Sequence, residues 1–375
     1  MNGTTIISSH DGSDALGMLN PSYVFICVLV TFGIPGNILS IIVYGFQLKS
    51  AIGRYAIISL AFCDVINCVL SIPIELYIMS NYWAFENSAL CKMSRFLTYA
   101  MNNSSALILL AIAVERHRAI CSPHKPKIQN SCILRACLLL IIIGILLALP
   151  SLWIYGIQTD NWYEVYPIDN TGTHLNNISN VYHPYINLFP LTNKTKYQDI
   201  DVQIETKRCL IDDKYRQTWF AYSHFGFVTI SSVIVLLLLL SYYIRIGRKI
   251  AGLRNRRYST RHEEEECFKS SIMKKTKASL VLFLITIGFE FTVFPFIVVT
   301  NIRFFTKHDW FHNLSLPGKM TYHFFLRSYY FNNAVNPFIY CISSSNFRSA
   351  LMKILKRIKD KTMSICCVSN NTNVM

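Results

Sequence analysis

Residues 91–118 read CKMSRFLTYAMNNSSALILLAIAVERHR. The stretch opens on a cysteine, runs through some twenty mostly apolar residues and closes on Glu115-Arg116-His117-Arg118. Cys91 and Arg116 lie 25 positions apart, which is roughly 37 Å of α-helix at about 1.5 Å per residue. The apolar core of a bilayer is about 30 Å thick. A helix here places the cysteine at one membrane face and the charged cluster at the other.

The 375 residues are 52% hydrophobic and only 15% charged, against about 25% in soluble domains. Seven apolar segments account for the deficit, at about 22–46, 55–79, 91–114, 132–154, 217–244, 279–302 and 321–342. Each is long enough to span as a helix and lacks the alternation of a barrel strand. The expected fold is an all-α membrane protein, a seven-helix bundle over 22–342. A polar tail (1–21) precedes it, with no signal-peptide pattern, so the first apolar run is expected to be an uncleaved anchor. Residues 343–375 are expected to form an amphipathic helix and tail. A long loop (155–216) and a basic linker (245–278) interrupt the bundle.

The net charge of +15 resides in the connections on one side of the spans, including Arg116, Arg118, the 245–277 linker and the tail. The opposite connections hold Glu86, Asp160, Glu164, Asp169, Asp199, Asp201, Glu205, Asp212 and Asp213. This is the positive-inside pattern. It predicts a cytoplasmic C-terminus and an outer N-terminus, and argues against nucleic acid as the partner of the basic charge. Of twelve cysteines, only Cys91 and Cys209 then meet an oxidising compartment, and a disulfide between them is expected, two free thiols being the alternative. Asn2, Asn177, Asn193 and Asn313 head glycosylation triplets on the outer side. Cys366 and Cys367 follow a basic amphipathic stretch and are acylation candidates.

Polar residues inside the spans carry the functional signal. Asp64 lies in mid-span, with Asn37, Ser105, Asn332, Asn333 and Asn336 as companions. Such oxygen-bearing groups suit a small hard cation, or a hydrogen-bonded core that only fixes packing. Glu290 and Arg327 either pair with each other or Arg327 reaches the outer cavity. Glu75 lies near the outer end of the second span. Pro295 and Pro337 are expected to kink the sixth and seventh spans. Arg116 either snorkels to the interface or is held by Glu115, although adjacent residues do not share a helix face.

Gly36-Asn37, Leu60-Ala61-Phe62-Cys63-Asp64, Cys91, Glu115-Arg116-His117, Phe289 ahead of Pro295, Asn336-Pro337-Phe338-Ile339-Tyr340 and Asn346-Phe347-Arg348 occur in this order across the spans. In this the chain resembles rhodopsin-like (class A) G-protein-coupled receptors over roughly 22–358. The resemblance implies that Arg116, restrained by Glu115, engages a heterotrimeric G protein. It also implies that Tyr340 swings inward on activation, with Asn336 and Pro337 in the same motif, and that Asp64, Ser105, Asn332 and Asn336 form a sodium pocket. Arrestin and receptor kinases follow as further partners, and the plasma membrane as the location. Four features depart from the family: His117 replaces a tyrosine, Val293 replaces the aromatic switch, and the usual tryptophan of span four and proline of span five are both missing. Phe291 and Phe294 are candidate substitutes for the switch.

Thr98 stands where amine receptors carry an aspartate, and Tyr330 where visual pigments carry the retinal lysine, so neither ligand is expected. The long acidic loop suits a peptide, and an acidic outer surface would attract a cationic one. A lipid or other small molecule is the alternative ligand. Glu75, Thr98, Tyr99, Phe296, Thr300, Arg303, Tyr322 and Leu326 are the candidate cavity residues. No nucleophile elbow, phosphate loop or metal-ligand cluster supports an enzyme. An ion-coupled transporter is disfavoured by the lack of internal repeats. A receptor that binds ligand without conventional signalling is the closer rival.

Overall fold

The computed structural model describes residues 9–48, 53–122, 128–166, 200–216, 218–255, 264–305, 311 and 314–357. The glycosylation candidates Asn2, Asn177, Asn193 and Asn313 and the acylation candidates Cys366 and Cys367 lie outside the described residues.

Among the described residues, six helical stretches are long and apolar enough to cross a membrane. The first is α1 (Ser9–Ile42), which ends in a π turn at Val43–Gln47. It starts earlier than the expected span: Met18 and Leu19 are already buried against the bundle. The second joins α2 (Arg54–Ile66) and α3 (Ile72–Ser80) through a π turn at Asn67–Ser71. Next come α4 (Ser88–Cys121), α5 (Asn130–Ala148) and the single turn α6 (Ser151–Ile154). Helices α7 (Trp219–Asn255) and α8 (Glu264–Phe305) are the fifth and sixth spans. Both continue well into the stretch read from sequence as a linker.

The seventh span is not one helix. It consists of α9 (Leu316–Phe325), a 3-10 turn at Ser328–Phe331 and α10 (Asn332–Ser343). Ser328 Oγ donates to the carbonyls of Phe325 and Thr292, at 2.9 and 2.7 Å. Such local side-chain bonds compete with the helical ladder. Beside the serine, Arg327 is drawn toward Glu75 on α3.

Helix α4 is the hub, packing against α2, α3, α5, α6, α7, α8 and both strands of the loop described below. Its approach to α5 is set by Gly144, where a Cβ would collide with Ser104 Oγ. At Gly36 a Cβ would meet the Pro337 ring at 2.9 Å, so a larger residue would separate α1 from α10. Pro337 has no N–H to offer the carbonyl four residues earlier. That carbonyl belongs to Asn333, and Asn37 Nδ2 donates to it at 2.6 Å. In a bilayer an unsatisfied carbonyl costs several kcal/mol, and the buried asparagine of α1 removes that cost.

A further helix, α11, covers 345–357. Its Phe347 is buried between the rings of Tyr44 and Tyr340. Arg348 Nη1 donates to the carbonyls of Cys341 and Ile342, which closes the C-terminal end of α10.

The long loop is not irregular at its ends. Strands β1 (Tyr155–Tyr166) and β2 (Ile200–Ile211) pair antiparallel, with Tyr155 opposite Ile211 and Gln158 opposite Arg208. The alternation in Ile200-Asp-Val-Gln-Ile-Glu-Thr-Lys is a strand signal. Cys209 on β2 is bonded to Cys91 at the start of α4, with Cα atoms 5.5 Å apart. The hairpin is therefore anchored over the end of the bundle opposite Arg116.

The disulfide joins positions 118 residues apart, a loop for which a crosslink contributes about 2–5 kcal/mol. Cys91→Ser and Cys209→Ser are each expected to reduce folded surface protein strongly. The double variant should be no worse than either single one, as shown by surface labelling and by thermal unfolding in detergent.

Candidate functional site

Two polar regions lie at opposite ends of α4, with a third between them. At the disulfide end the helices enclose a cavity of about 420 Å³, within the range of about 300–1,000 Å³ typical of ligand sites. Thr98, Tyr99, Phe296, Thr300, Arg303, Tyr322 and Leu326 all line it. Four of them are held by bonds between elements. Thr98 Oγ1 lies 3.3 Å from the Tyr330 hydroxyl, Tyr99 and Tyr155 share a hydroxyl contact of 2.9 Å, and Arg303 Nη1 donates to Tyr322 Oη at 2.9 Å.

Glu75 does not line this cavity. It is 1% exposed, and its two oxygens face Arg327 Nε at 2.9 Å and Arg95 Nη1 at 3.1 Å. A carboxylate at this depth is retained where guanidiniums replace its water. Arg327 thus pairs with Glu75 rather than with Glu290, which instead faces the cavity. Arg95, Glu290, Asn102, Arg208 and Arg216 are cavity residues that the sequence reading missed. Arg95 was detectable: it is a charge one helical turn from Cys91, inside an apolar run.

The hairpin supplies the rim. Asp160 accepts from Gln158 Nε2 at 2.8 Å, pairs with Arg216 at 2.8 Å and forms a short ion pair with Arg208. Burial alone would raise its pKa, but Arg208, Arg216 and the Gln158 amide outweigh that and hold it at about 2, below the ordinary 3.8. Asp160, an acidic residue of the loop, therefore brings no unpaired negative charge to the cavity. Asp160 turns inward and is neutralised, and arginines face the interior.

In the middle of the bundle, Asp64 is 1% exposed and Asn336 Nδ2 donates to its Oδ2 at 2.8 Å. Ser105 and Asn332 are also buried. Neither amide atom of Asn332 has a hydrogen-bond partner among the described residues, and nor does Asn336 Oδ1. Asn333 belongs to a neighbouring network, with its Oδ1 accepting from Asn67 Nδ2 at 3.2 Å.

At the far end, Arg116 is 2% exposed and its Nη2 contacts Glu115 Oε1 at 2.5 Å. The adjacent pair does meet. His117 packs edge-on against Tyr242 of α7, with ring centroids 5.4 Å apart. Tyr340 is fully buried between Tyr44 and Phe347. Val293 lines the cavity at the disulfide end. Phe291 and Phe294 are 78% and 62% exposed on the outer surface of α8, so neither replaces the missing aromatic inside.

Comparison with known sequences decides the family. The model described as "7 transmembrane receptor (rhodopsin family)" matches residues 36–170 and 182–340. The chain belongs to this family of multi-pass membrane receptors. Among its relatives, rat neuropeptide Y receptor type 4 is 32% identical over 126 residues, 32% of each chain. The Bos taurus G-protein coupled receptor 39 is 23% identical over 88% of this chain and 71% of its own. The Caenorhabditis elegans neuromedin U receptor homolog nmur-2 is 23% identical over 90% of this chain and 80% of its own. The match to the rat receptor spans about a third of that receptor's length.

Removing one partner of a buried ion pair costs about 3–5 kcal/mol. Glu75→Gln is therefore expected to lower the unfolding temperature of the receptor markedly. Arg95→Gln should cost much less, because Glu75 keeps Arg327. Thermal unfolding in detergent compares the two. Asp160 is held below its ordinary pKa, so its stabilising contribution is complete above about pH 4 and fades as pH falls toward 2. Asp160→Asn should accordingly destabilise at pH 7, with the gap to wild type narrowing toward pH 3.

Proposed function

We propose that this receptor binds a peptide in the cavity at the disulfide end and transmits the event to a heterotrimeric G protein at the Arg116 end. The observation that carries this reading is the placement of the two sites on one hub helix. An open cavity under a hairpin rim lies at one end of α4, and a buried arginine held by its neighbour lies at the other. Relatives named for neuropeptide Y and neuromedin U support a peptide ligand. In this reading the Cys91 end faces the cell exterior at the plasma membrane, and the basic linker and tail face the cytoplasm. The tail would also meet arrestin and receptor kinases.

Between the two ends, Asp64, Ser105, Asn332 and Asn336 would hold a sodium ion. The donors fit: they are a carboxylate, a hydroxyl and amide oxygens, and the Asn332 amide and Asn336 Oδ1 lack protein partners among the described residues. The ion would supply the positive charge that lets Asp64 stay ionised in an apolar interior. Asn336 of α10 already donates to Asp64 of α2, so inward movement of Tyr340 on α10 would disturb the same site.

Val293 in place of an aromatic switch favours one rival, a receptor that captures ligand without conventional coupling. G-protein dissociation sensors, challenged with a neuropeptide library in cells expressing the full chain, separate the two. A saturable peptide response reduced at least tenfold by Arg116→Ala, with peptide binding retained, is the expected result. Binding with silence across all G-protein classes would establish the rival. Asp64→Asn is expected to abolish any dependence of peptide affinity on sodium, compared with potassium at equal ionic strength.

A further inference from the structure

The ligand cavity is cationic where a cationic peptide would need it acidic. Arg95 and Arg303 line it, and a smaller void of about 20 Å³ beside it is lined by Arg95, Arg303, Arg327 and His323 together. Three guanidiniums thus converge on one region, and the carboxylate within it is Glu75, which both Arg95 and Arg327 already contact. Arg303 has no carboxylate partner among the described residues; its bond is to the neutral Tyr322 hydroxyl. Arg208, on the hairpin above, faces the same cavity from its pair with Asp160. The void has room for about one water, but it adjoins the main cavity through Arg95, Arg303 and Leu326, which line both. Glu290 is the acidic group of the wall, and it lies 13 residues before Arg303 on α8, roughly 20 Å deeper along the helix.

A surplus of guanidinium in a partly desolvated cavity is a cost to the empty receptor. A ligand anion removes that cost, and the planar donor fork of arginine matches a carboxylate in two-point geometry. We infer that the ligand presents an anionic group, a carboxylate of the peptide, to Arg303 and Arg95. This rests on the peptide reading of the cavity and adds the charge of the group recognised. It reverses the expectation drawn from the acidic loop.

The test uses the full-length receptor in nanodiscs of zwitterionic lipid, at constant ionic strength. Thermal unfolding is followed first against pyrophosphate, with chloride as reference. A saturable rise in unfolding temperature is expected, with apparent affinity weakened about tenfold by Arg303→Gln and by Arg95→Gln, and less by Arg303→Lys. No saturable rise, or one that both glutamine variants leave unchanged, overturns the inference. Peptides are then compared in matched pairs: Asp against Asn, Glu against Gln, free C-terminus against amide. Preference for the acidic member, lost in Arg303→Gln, supports it. Equal binding of both members overturns it while leaving the peptide reading intact. Pyrophosphate binding through Arg303 with no peptide of either form binding would keep the anion site and overturn the peptide reading instead.

Discussion

One carboxylate placed between two guanidiniums governs the disulfide end of this receptor. Glu75 on α3 contacts Arg327 and Arg95, and a single negative charge cannot neutralise both. In an apolar bundle such a group is stable only with its partners in place, so the three residues lock α3, α4 and the seventh span together. The seventh span breaks where this lock is made. Arg327 sits between α9 and the 3-10 turn, with Ser328 bonded to carbonyls of two helices. The cationic surplus left by Glu75 gives the cavity its charge.

The same logic of satisfying buried polar groups runs down the bundle. Pro337 withholds a donor from the Asn333 carbonyl, and Asn37 supplies one from another helix. Asn336 donates to Asp64. Arg348 closes the carbonyl end of α10. The first two are buried bonds between segments distant in sequence, where lipid offers no water in exchange; the last is a local closure of a helix end. The polar residues of α10 therefore determine how the seventh span sits against its neighbours. The Glu115–Arg116 pair at the other end follows a different rule. Arg116 is held by the residue beside it in sequence, a local contact rather than one between helices.

The hairpin shows where patterning and charge counting diverge. Its strands carry alternating residues that a period-two search detects. The acidic count of the loop nevertheless misleads at Asp160, because a charge counted along the chain has no direction. Asp160 is part of that count, yet it faces inward and is neutralised by Arg208 and Arg216.

By itself the sequence determined the number of spans, the Cys91–Cys209 bridge and the identity of the motif residues Asp64, Arg116, Asn336 and Tyr340. These depend on local apolar length, on sidedness of charge and on fixed spacings, all of which are one-dimensional properties. Seven of the eight candidate cavity residues line the cavity; they follow from the family resemblance rather than from one-dimensional pattern alone. Only the tertiary structure decided that Glu75 is withdrawn behind Arg95, that Arg327 chooses Glu75 over Glu290, and that Phe291 and Phe294 face outward. Rotation of one helix against another sets those outcomes, and the partner of a buried charge is whichever group that rotation brings within about 3 Å.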